Sequence, residues 1–584
     1  MALARPMAAS LRRLAPATTR LLGRTLRGTA STQPEPPEQH AYVDHHTKEK
    51  QSSGITANDA SPDKGTFSKK HVNLGRPPIQ QAFDVDAFIT SFLGVVEEEL
   101  PRATDPARSA ELLRTLIRSE TLKFTDMRDA PEKFFLAHRL LSSVGLNGFG
   151  VRFTVQFNLF AGSILGLGGP EQVAELSRIQ REGQLGCFLL TEKQAGVLSG
   201  LIVETTATWD SQANEFVLHT PSEKAAKNWI SQGYTAELGV VIADLLVDGV
   251  SHGPHPFLMR MRDEAGALVD GIRVEDMGSK TIANDLDNAR VYFDEVRLPK
   301  DSLLNKFADI DDAGAYVERG GERMRIEVIG QRLLTGRLAI AEAALISARV
   351  LHMHTETYAK DKVCNGLAGE TSLASMPQLA AVFEESYAEL DAMASFTAGV
   401  EERLNACLRA GTIPEADLVD AIAVCKIKCI ESAVERVHVL RQEVGSYALM
   451  HSTGFELCDM LLCCKFAEGD SRILQQKLAR DRLKTLKKGG VFSAFGSLFG
   501  GDGPLFDEEV LASLGLARKL APAGRDLNKL AAAMGENWRE VYGLADLIAA
   551  RHVRTGKSGA FCEPVTDRLI PAETSFDHDW KAKV

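Results

Sequence analysis

Cys463 to Asp481 reads CCKFAEGDSRILQQKLARD, an apolar stretch that passes through a Glu-Gly-Asp-Ser turn into a helical pattern. Asp470 or Ser471 is placed to accept hydrogen bonds from the first free N–H groups of that helix, so Glu468 lies just outside a helix start. A carboxylate beside apolar neighbours such as Phe466 loses hydration, and its pKa rises towards neutrality, as a general base requires. An ordinary solvated glutamate beside a helix cap is the alternative, and this stretch alone leaves both open.

Outside this stretch, the chain divides into regions of different hydrophobic periodicity. Long segments with helical spacing surround it and predict a four-helix bundle. Short β-rich runs separated by turns precede the bundle, and a further helical region precedes them. The predicted fold class is therefore α+β. The predicted regions are a transit peptide at 1–34, a linker or arm at 35–83, an N-terminal helical domain at 84–182, a central β domain at 183–305, the C-terminal bundle at 315–488, and a helical extension with a tail at 489–584.

Length and charge exclude several classes of protein. A chain of 584 residues is long enough for about three or four domains. None of its apolar runs reaches the roughly 18 to 20 residues that span a bilayer, so we expect no integral membrane protein. The formal net charge is −11, and residues 1–34 contribute six arginines without any acidic residue, which leaves −11 − 6 = −17 for the rest. A protein with so large a negative charge is not typical of the nucleic-acid-binding class.

The arginine-rich amino terminus predicts where in the cell the protein is located. Its Ser and Thr content and its lack of acidic residues are typical of an organelle transit peptide, and they favour the mitochondrial matrix. A disordered basic tail is the alternative. Arg13-Leu14 and Arg20-Leu21 nearly match an amino-terminal peroxisomal signal, which keeps the peroxisome open, although the chain does not end in Ser-Lys-Leu.

The nine cysteines do not predict a metal site. They form no Cys-x-x-Cys pair and no Cys/His cluster with zinc spacing. Cys425 and Cys429 share a helical stripe with Ile422, Val437 and Leu440, so we expect reduced thiols in an apolar core.

Four groups of residues in the β region and the bundle occur in a recognisable order. They are Thr191-Glu192 followed by Gly196, Trp229-Ile230-Ser231, Phe293-Asp294-Glu295-Val296-Arg297-Leu298-Pro299, and Glu468-Gly469-Asp470. With this order and spacing, residues 84 to 488 resemble the acyl-CoA dehydrogenase and acyl-CoA oxidase superfamily.

The resemblance implies a flavoenzyme. FAD would lie between the β domain and the bundle, and an acyl-CoA would be desaturated to a trans-2-enoyl-CoA, with Glu468 as the base that removes the α-proton. The implied cofactor-binding residues are Leu190 and Thr191 at the flavin pyrimidine, Gly196, Trp229, Ile230 and Ser231 at the flavin face, Gly469, Asp470 and Arg472 near the adenosine, and Gln442 and Gly445 towards the FAD of a neighbouring subunit. The implied substrate-binding residues are Arg332 and Asn284.

The resemblance also implies partners and leaves alternatives. It implies a homodimer or homotetramer, and an electron acceptor that is either an electron-transferring flavoprotein or O₂. The Glu-Gly-Asp sequence of the motif that contains Glu468 is closer to the oxidases. The amino terminus, by contrast, favours a mitochondrial dehydrogenase. Tyr358-Ala359-Lys360-Asp361-Lys362 stands where the family has Arg-x-x-Phe-Gly. This departure supports the alternative of a non-catalytic structural or assembly subunit on a degenerate scaffold, as part of a mitochondrial complex.

Overall fold

The computed structural model describes most of the chain from residue 83 to residue 556. The structure describes residues 83–145, 147–196, 202–319, 322–366, 369–451, 453–489, 504–524, 526–556 and 559. The predicted transit peptide, nearly all of the predicted arm, residues 490–503 and the tail from 560 therefore lie outside the described residues.

The N-terminal helices are α1 (Val85–Val96), α2 (Pro106–Arg118), α3 (Asp126–Asp129), α4 (Glu132–Val144), α5 (Gly148–Thr154), α6 (Gly162–Leu167) and α7 (Pro170–Glu182), with a π-helical segment, Val155–Ala161, between α5 and α6. Local chemistry explains where they begin. Asp105 accepts hydrogen bonds from the N–H groups of Ala107 and Arg108, and proline occupies the first position of α2. The apolar stripe of α2 that includes Leu113 and Leu116 is buried, as its helical spacing predicts.

The central region contains two sheets. Its strands are β1 (Gly186–Leu189), β2 (Thr206–Asp210), β3 (Glu215–His219), β4 (Lys227–Ser231), β5 (Leu238–Val247), β6 (Val250–Arg260), β7 (Ile272–Asp276), β8 (Asn288–Phe293), β9 (Val296–Pro299), β10 (Ala308–Ile310) and β11 (Tyr316–Glu318). In the larger sheet, β5 pairs in parallel with β1 and with β2, and antiparallel with β6. From β2 the sheet continues antiparallel through β3 to β9. The second sheet has the order β4-β8-β7.

The C-terminal region is a bundle followed by an extension. The helices are α8 (Glu322–Asp361), α9 (Pro377–Ala410), α10 (Ala416–Glu443), α11 (Leu457–Cys464), α12 (Ser471–Gly489), α13 (Pro504–Leu520), α14 (Leu527–Glu536) and α15 (Trp538–Thr555). Helix α10 packs against α8, α9 and α12, and α12 also packs against α15. The α10 stripe of Ile422, Cys425, Cys429, Val437 and Leu440 is buried, which confirms its predicted place in the core.

The predicted α+β class is confirmed, and two features go beyond the sequence prediction. Short antiparallel strands β12 (Val363–Gly366) and β13 (Gly369–Ser372) form a hairpin between α8 and α9, within the region predicted as a bundle. β11 extends past the predicted β region, because Tyr316 to Glu318 find partners on β10. No helix in the described part of the chain is long and apolar enough to cross a membrane.

Buried ion pairs connect the regions. Arg139 of α4 donates to Glu342 of α8 and to Glu401 of α9, each at 2.7 Å. Arg152 of α5 donates to Asp287, just before β8, at 2.8 Å. Each guanidinium is buried with a carboxylate partner, which offsets part of its desolvation cost and joins the N-terminal helices to both neighbouring regions.

Candidate active site

The turn between α11 and α12 carries Glu468. Ser471 closes this turn, because its N–H donates to the Lys465 carbonyl at 2.9 Å. Asp470 Oδ1 accepts from the Arg472 N–H at 2.7 Å and so caps α12. Glu468 has a φ of 56° and Gly469 a φ of 100°. A left-handed backbone costs a non-glycine residue about 1 to 3 kcal/mol and is enriched at functional sites.

The Glu468 carboxylate points inward onto α8. A methyl group on Gly336 would stand 2.5 Å from Glu468 Cδ and closer still to Oε2. Glycine therefore provides the space that the carboxylate occupies. The residue as a whole is half-buried, yet Oε2 is buried and has no hydrogen-bond partner among the described residues. An unpaired buried carboxylate oxygen is costly, and such an atom in a native fold calls for a functional explanation.

Burial raises the pKa of Glu468 to about 7, and the positive charges of Arg337 and Lys426 oppose the rise. Arg337 Nε donates to the Glu468 carbonyl at 3.0 Å. A methyl group on Gly469 would stand 3.2 Å from Arg337 Nη2, so glycine at this position lets the guanidinium approach the turn. Arg337 thus holds the middle of the turn that carries the carboxylate.

Lys426 of α10 holds the two ends of the same turn. Its ammonium group donates to the Lys465 carbonyl at 2.6 Å and to Ser471 Oγ at 3.0 Å. Burial lowers the pKa of Lys426 to about 7. Sequence reasoning missed Gly336, Arg337 and Lys426. Lys426 could have been noticed as a cation inside the apolar stripe of α10.

Several predicted flavin-binding residues lie together in the β region. Thr191, directly after β1, is exposed, and its carbonyl accepts from the Asn228 N–H of β4 at 2.8 Å. The pairing of β4 with β8 shifts between Lys227 and Ile230. Within this irregularity Trp229 has a φ of 57° and is 56% exposed. Trp229 is therefore an exposed aromatic side chain and not a half-buried strand residue.

The other β-region residues that the sequence predicts to bind FAD lie near Thr191 and Trp229 in the chain, or next to residues that the structure does not describe. Leu190 and Ile230 are buried, and Ser231 Oγ accepts from Asn288 at 3.2 Å. Gly196 is exposed. A buried ion pair between Glu192 and Lys227, at 2.8 Å, fixes β4 beside the end of β1.

A β-region loop approaches the segment that leads into Glu468. Lys280 and Cys463 are near enough for each side chain to influence the pKa of the other. Asn284 lies in this loop, but its amide is engaged within it: Oδ1 accepts from the Lys280 N–H and Nδ2 donates to the Lys280 carbonyl. A substrate-binding role for Asn284 stays a prediction that these contacts do not support.

Other predicted site residues lie elsewhere. The Arg472 guanidinium stacks on the Tyr542 ring of α15, 4.7 Å from its centroid, and this contact gives no support to a cofactor role. Gln442 and Gly445 are exposed at the end of α10. Arg332 lies on α8 and approaches Gly162 of α6, whereas Arg337 contacts the turn of Glu468. The structure therefore places Arg337, and not Arg332, beside the carboxylate.

Comparisons with known proteins agree with this architecture. No protein-family model matches the chain. A peroxisomal acyl-coenzyme A oxidase 3 of Arabidopsis thaliana is 37% identical over 168 residues, which are 28% of this chain and 25% of the relative. The human peroxisomal acyl-coenzyme A oxidase 3 is 31% identical over 243 residues, 41% of this chain and 34% of the relative. The sequence matches thus span well under half of these relatives.

Solved structures match over more of the chain. An acyl-CoA oxidase-1 of Yarrowia lipolytica superposes with a TM-score of 0.61 at 19% identity, over 84% of this chain and 80% of that protein. A Caenorhabditis elegans acyl-CoA oxidase-2, bound with FAD, ascaroside-CoA and ATP, superposes with a TM-score of 0.63 at 19% identity, over 83% and 78%. The chain therefore has the fold of these acyl-CoA oxidases. Its relatives in sequence are named acyl-CoA oxidases as well.

The predicted mitochondrial matrix location is wrong. The relatives whose names state a location are peroxisomal, three from Arabidopsis and one human. An arginine-rich segment without acidic residues is as compatible with a basic tail as with a transit peptide, so its composition alone could not decide the organelle.

Proposed function

We propose that this protein is an FAD-dependent acyl-CoA oxidase that desaturates an acyl-CoA at the α,β position to a trans-2-enoyl-CoA, in fatty-acid or branched-acyl breakdown. One observation carries the proposal: Glu468 offers a buried carboxylate oxygen that has no hydrogen-bond partner in the part of the chain that the structure describes, and burial raises its pKa to about 7. A general base works best when its pKa lies near the working pH and its lone pair is not already used.

The described residues fit FAD. The exposed Trp229 at a strained position of β4 and the exposed Thr191, two residues beyond β1, lie close together, as a flat aromatic cofactor requires. The C. elegans neighbour is bound with FAD and an acyl-CoA, which supports the same ligands here. We assign Leu190, Thr191 and Trp229 to the flavin. Bound FAD would supply the acceptor for the β-hydrogen as hydride.

Side chains of the protein itself would remove the α-proton and hold the accepting carboxylate in place. Glu468 Oε2 takes the α-proton of the thioester, and the C–H electron pair becomes the new double bond as the β-hydrogen leaves with its own pair. Arg337 keeps the turn in place through the Glu468 carbonyl, and Lys426 does so through both ends of the turn. Their charges limit the rise in pKa, so that a useful fraction of Glu468 is ionised at neutral pH.

The proposal is tested by mixing the purified protein with octanoyl-CoA without oxygen and following flavin absorbance. Wild type should bleach within seconds. Glu468→Gln should keep its FAD but reduce it about 10³-fold or more slowly, as expected for loss of a base in a concerted step. Equal rates for the two proteins would refute the assignment of Glu468.

We further propose O₂ as the electron acceptor, because the sequence relatives are oxidases, and the peroxisome as the location. Stopped-flow mixing of substrate-reduced enzyme with O₂ should reoxidise the flavin within the turnover time. Slow reoxidation by O₂ with fast reoxidation by an electron-transferring flavoprotein would instead support a dehydrogenase.

A homo-oligomer is also proposed. Leu449 and Met450, just after Gly445, are exposed by 74% and 61%, and apolar side chains this open commonly mark protein contacts. Light scattering during size-exclusion chromatography should give at least a dimer.

The second candidate is a non-catalytic subunit on the same scaffold. It is favoured by Arg472 and Asn284, which are engaged in local contacts. Purified protein without flavin absorbance, even after incubation with FAD, would support it.

A further inference from the structure

The C-terminal extension contacts the helix that begins beside Glu468. Helix α15 packs along α12. Arg472 is the second residue of α12, and its guanidinium lies over the Tyr542 ring of α15, 4.7 Å from the ring centroid. Apolar side chains of both helices are buried, among them Leu474, Leu478, Leu544 and Ile548. A region outside the bundle thus contacts a residue only four positions after the proposed base.

Gln475 makes a second connection between Arg472 and α15. Its Oε1 accepts from Arg472 Nη1 at 2.8 Å, and its Nε2 donates to Asp546 Oδ1 at 3.2 Å. Gln475 is 2% exposed, and hydrogen bonds are stronger where water is excluded. Arg472 and Gln475 are three residues apart on α12, and Tyr542 and Asp546 are four apart on α15, so each pair shares one helix face. Two contacts therefore join the first turn of α12 to α15.

The turn that carries Glu468 depends on the contacts around it. Glu468 and Gly469 both have a positive φ, and a left-handed glutamate persists only where the surrounding structure holds it. Arg337 and Lys426 hold the turn from α8 and α10. The first turn of α12 follows Glu468 directly, and the first turn of any helix lacks some of the intrahelical hydrogen bonds of later turns. Side-chain contacts of Arg472 fix this part of α12.

We propose that Arg472 is a positioning residue for Glu468, and that the C-terminal extension holds Arg472 in place through Tyr542 and Gln475. The inference rests on the proposed function, in which Glu468 removes the α-proton. A displacement of about 1 Å at a reacting group can cost about 100-fold in rate. Release of one end of the turn is a smaller disturbance, and we expect it to cost about 10-fold in kcat. KM should change little, because Arg472 does not contact the thioester in this role.

Arg472→Met removes both contacts and tests the positioning role. The FAD-loaded variant should reduce flavin with octanoyl-CoA about 10-fold more slowly, with a KM within about twofold of wild type. The matched control is Arg480→Met, the same change on the same helix at a side chain that is 54% exposed, and it should keep the wild-type rate. A wild-type rate in Arg472→Met, or an equal loss in the control, would overturn the proposal. Weaker FAD binding with a wild-type rate at saturating FAD would assign Arg472 to the cofactor and would overturn it as well.

Variants of Tyr542 test the role of the extension. A guanidinium interacts with the face of an aromatic ring, and phenylalanine keeps that face. Tyr542→Phe should therefore stay within about twofold of the wild-type rate, whereas Tyr542→Leu should lose about fivefold. Equal rates in the two variants would contradict a role for the contact between Arg472 and the ring.

A combination with Glu468→Gln separates positioning from a structural role. Residues that act through one another have non-additive effects. Arg472→Met should therefore not slow the residual flavin reduction of Glu468→Gln any further. A second loss of about 10-fold in the double variant would show that Arg472 acts on the fold or the flavin and not through Glu468, and would refute the proposal.

A measurement without turnover keeps this inference separable from the proposed function. Infrared spectra can follow the protonated Glu468 carboxyl, identified as the band that Glu468→Gln removes. In wild type this band should disappear with a midpoint near pH 7, because burial raises the pKa of Glu468 to about 7 against the charges of Arg337 and Lys426. A loosened turn admits water, which favours the charged form. Tyr542→Leu should therefore lower the midpoint by about half a pH unit or more, and Tyr542→Phe should leave it unchanged.

The two failures then give different results. If wild type reduces no flavin with octanoyl-CoA, the proposed chemistry fails, while the infrared midpoint still tests whether the extension positions Glu468. If wild type reduces flavin but Tyr542→Leu leaves both the rate and the infrared midpoint unchanged, the proposed function stands and the positioning role is refuted.

Discussion

Gly336→Ala tests whether the position of the Glu468 carboxylate determines catalysis. The added methyl would stand 2.5 Å from Glu468 Cδ, whereas ordinary contact begins at 3.4 Å. The carboxylate must therefore move by at least 3.4 − 2.5 = 0.9 Å, because Oε2 lies even closer to the added methyl than Cδ does. A displacement of about 1 Å at a reacting group can cost about 100-fold in rate, or about 2.7 kcal/mol in activation free energy. We expect anaerobic flavin reduction by octanoyl-CoA to slow by about that factor.

Gly330→Ala is the matched control. Gly330 lies on the same helix, and a methyl group there would meet nothing within 4 Å. Alanine is about 1 kcal/mol more favourable than glycine in a helix, so the control should unfold at the same or a higher temperature and reduce flavin at the wild-type rate. A wild-type rate of flavin reduction in Gly336→Ala, with FAD bound, would refute the assignment of this pocket to the base.

Four further predictions concern charge. The rate of flavin reduction should rise with pH around a midpoint near 7, because Glu468 must be ionised and its pKa is raised to about 7; a rate that is flat from pH 5.5 to 8.5 would contradict this. Because its pKa is raised, the Glu468 carboxyl binds its proton more tightly in the folded protein than in the unfolded chain. The contribution of Glu468 to stability therefore falls as the pH rises from 4.5 to about 7. Glu468→Gln should remove this fall, as measured by urea unfolding. Lys426→Met should raise the midpoint of the pH–rate profile by about half a pH unit or more, because a positive charge near Glu468 is lost. The control is Lys428→Met, which should leave the midpoint unchanged because Lys428 pairs with Glu431. Equal midpoints for the two variants would argue against an effect of Lys426 on the pKa of Glu468. Lys227→Met should destabilise the fold by about 3 to 5 kcal/mol, because it leaves Glu192 buried without a countercharge, held by the N–H groups of Glu204 and Thr205. Lys227→Met combined with Glu192→Leu should recover part of this loss in urea unfolding.

Much of the architecture was predictable because it depends on local patterns. Helical spacing located the long bundle helices, and Asp470 was correctly one of two candidates for the cap of α12. The β12–β13 hairpin escaped prediction, because two strands of four residues carry too little periodicity to stand out between long helices.

Residue roles that depend on side-chain direction were less accessible. Both Arg332 and Arg337 are arginines on one helix, and the sequence analysis selected Arg332. The structure places Arg337 against the Glu468 carbonyl and Arg332 against Gly162. Five residues turn a helix by about 140° from the starting direction, so a choice between them requires the positions of the neighbouring elements.

That a glutamate stands just before a capped helix follows from the sequence alone, since hydrogen bonding at a helix start depends only on nearby residues. Its buried oxygen, unpaired among the described residues, and its pKa of about 7 follow from the fold. That environment comes from Gly336 and Arg337 on α8 and Lys426 on α10, which lie far from Glu468 in the chain. Desolvation depends on what fills the surrounding volume, and the packing of distant helices determines that volume.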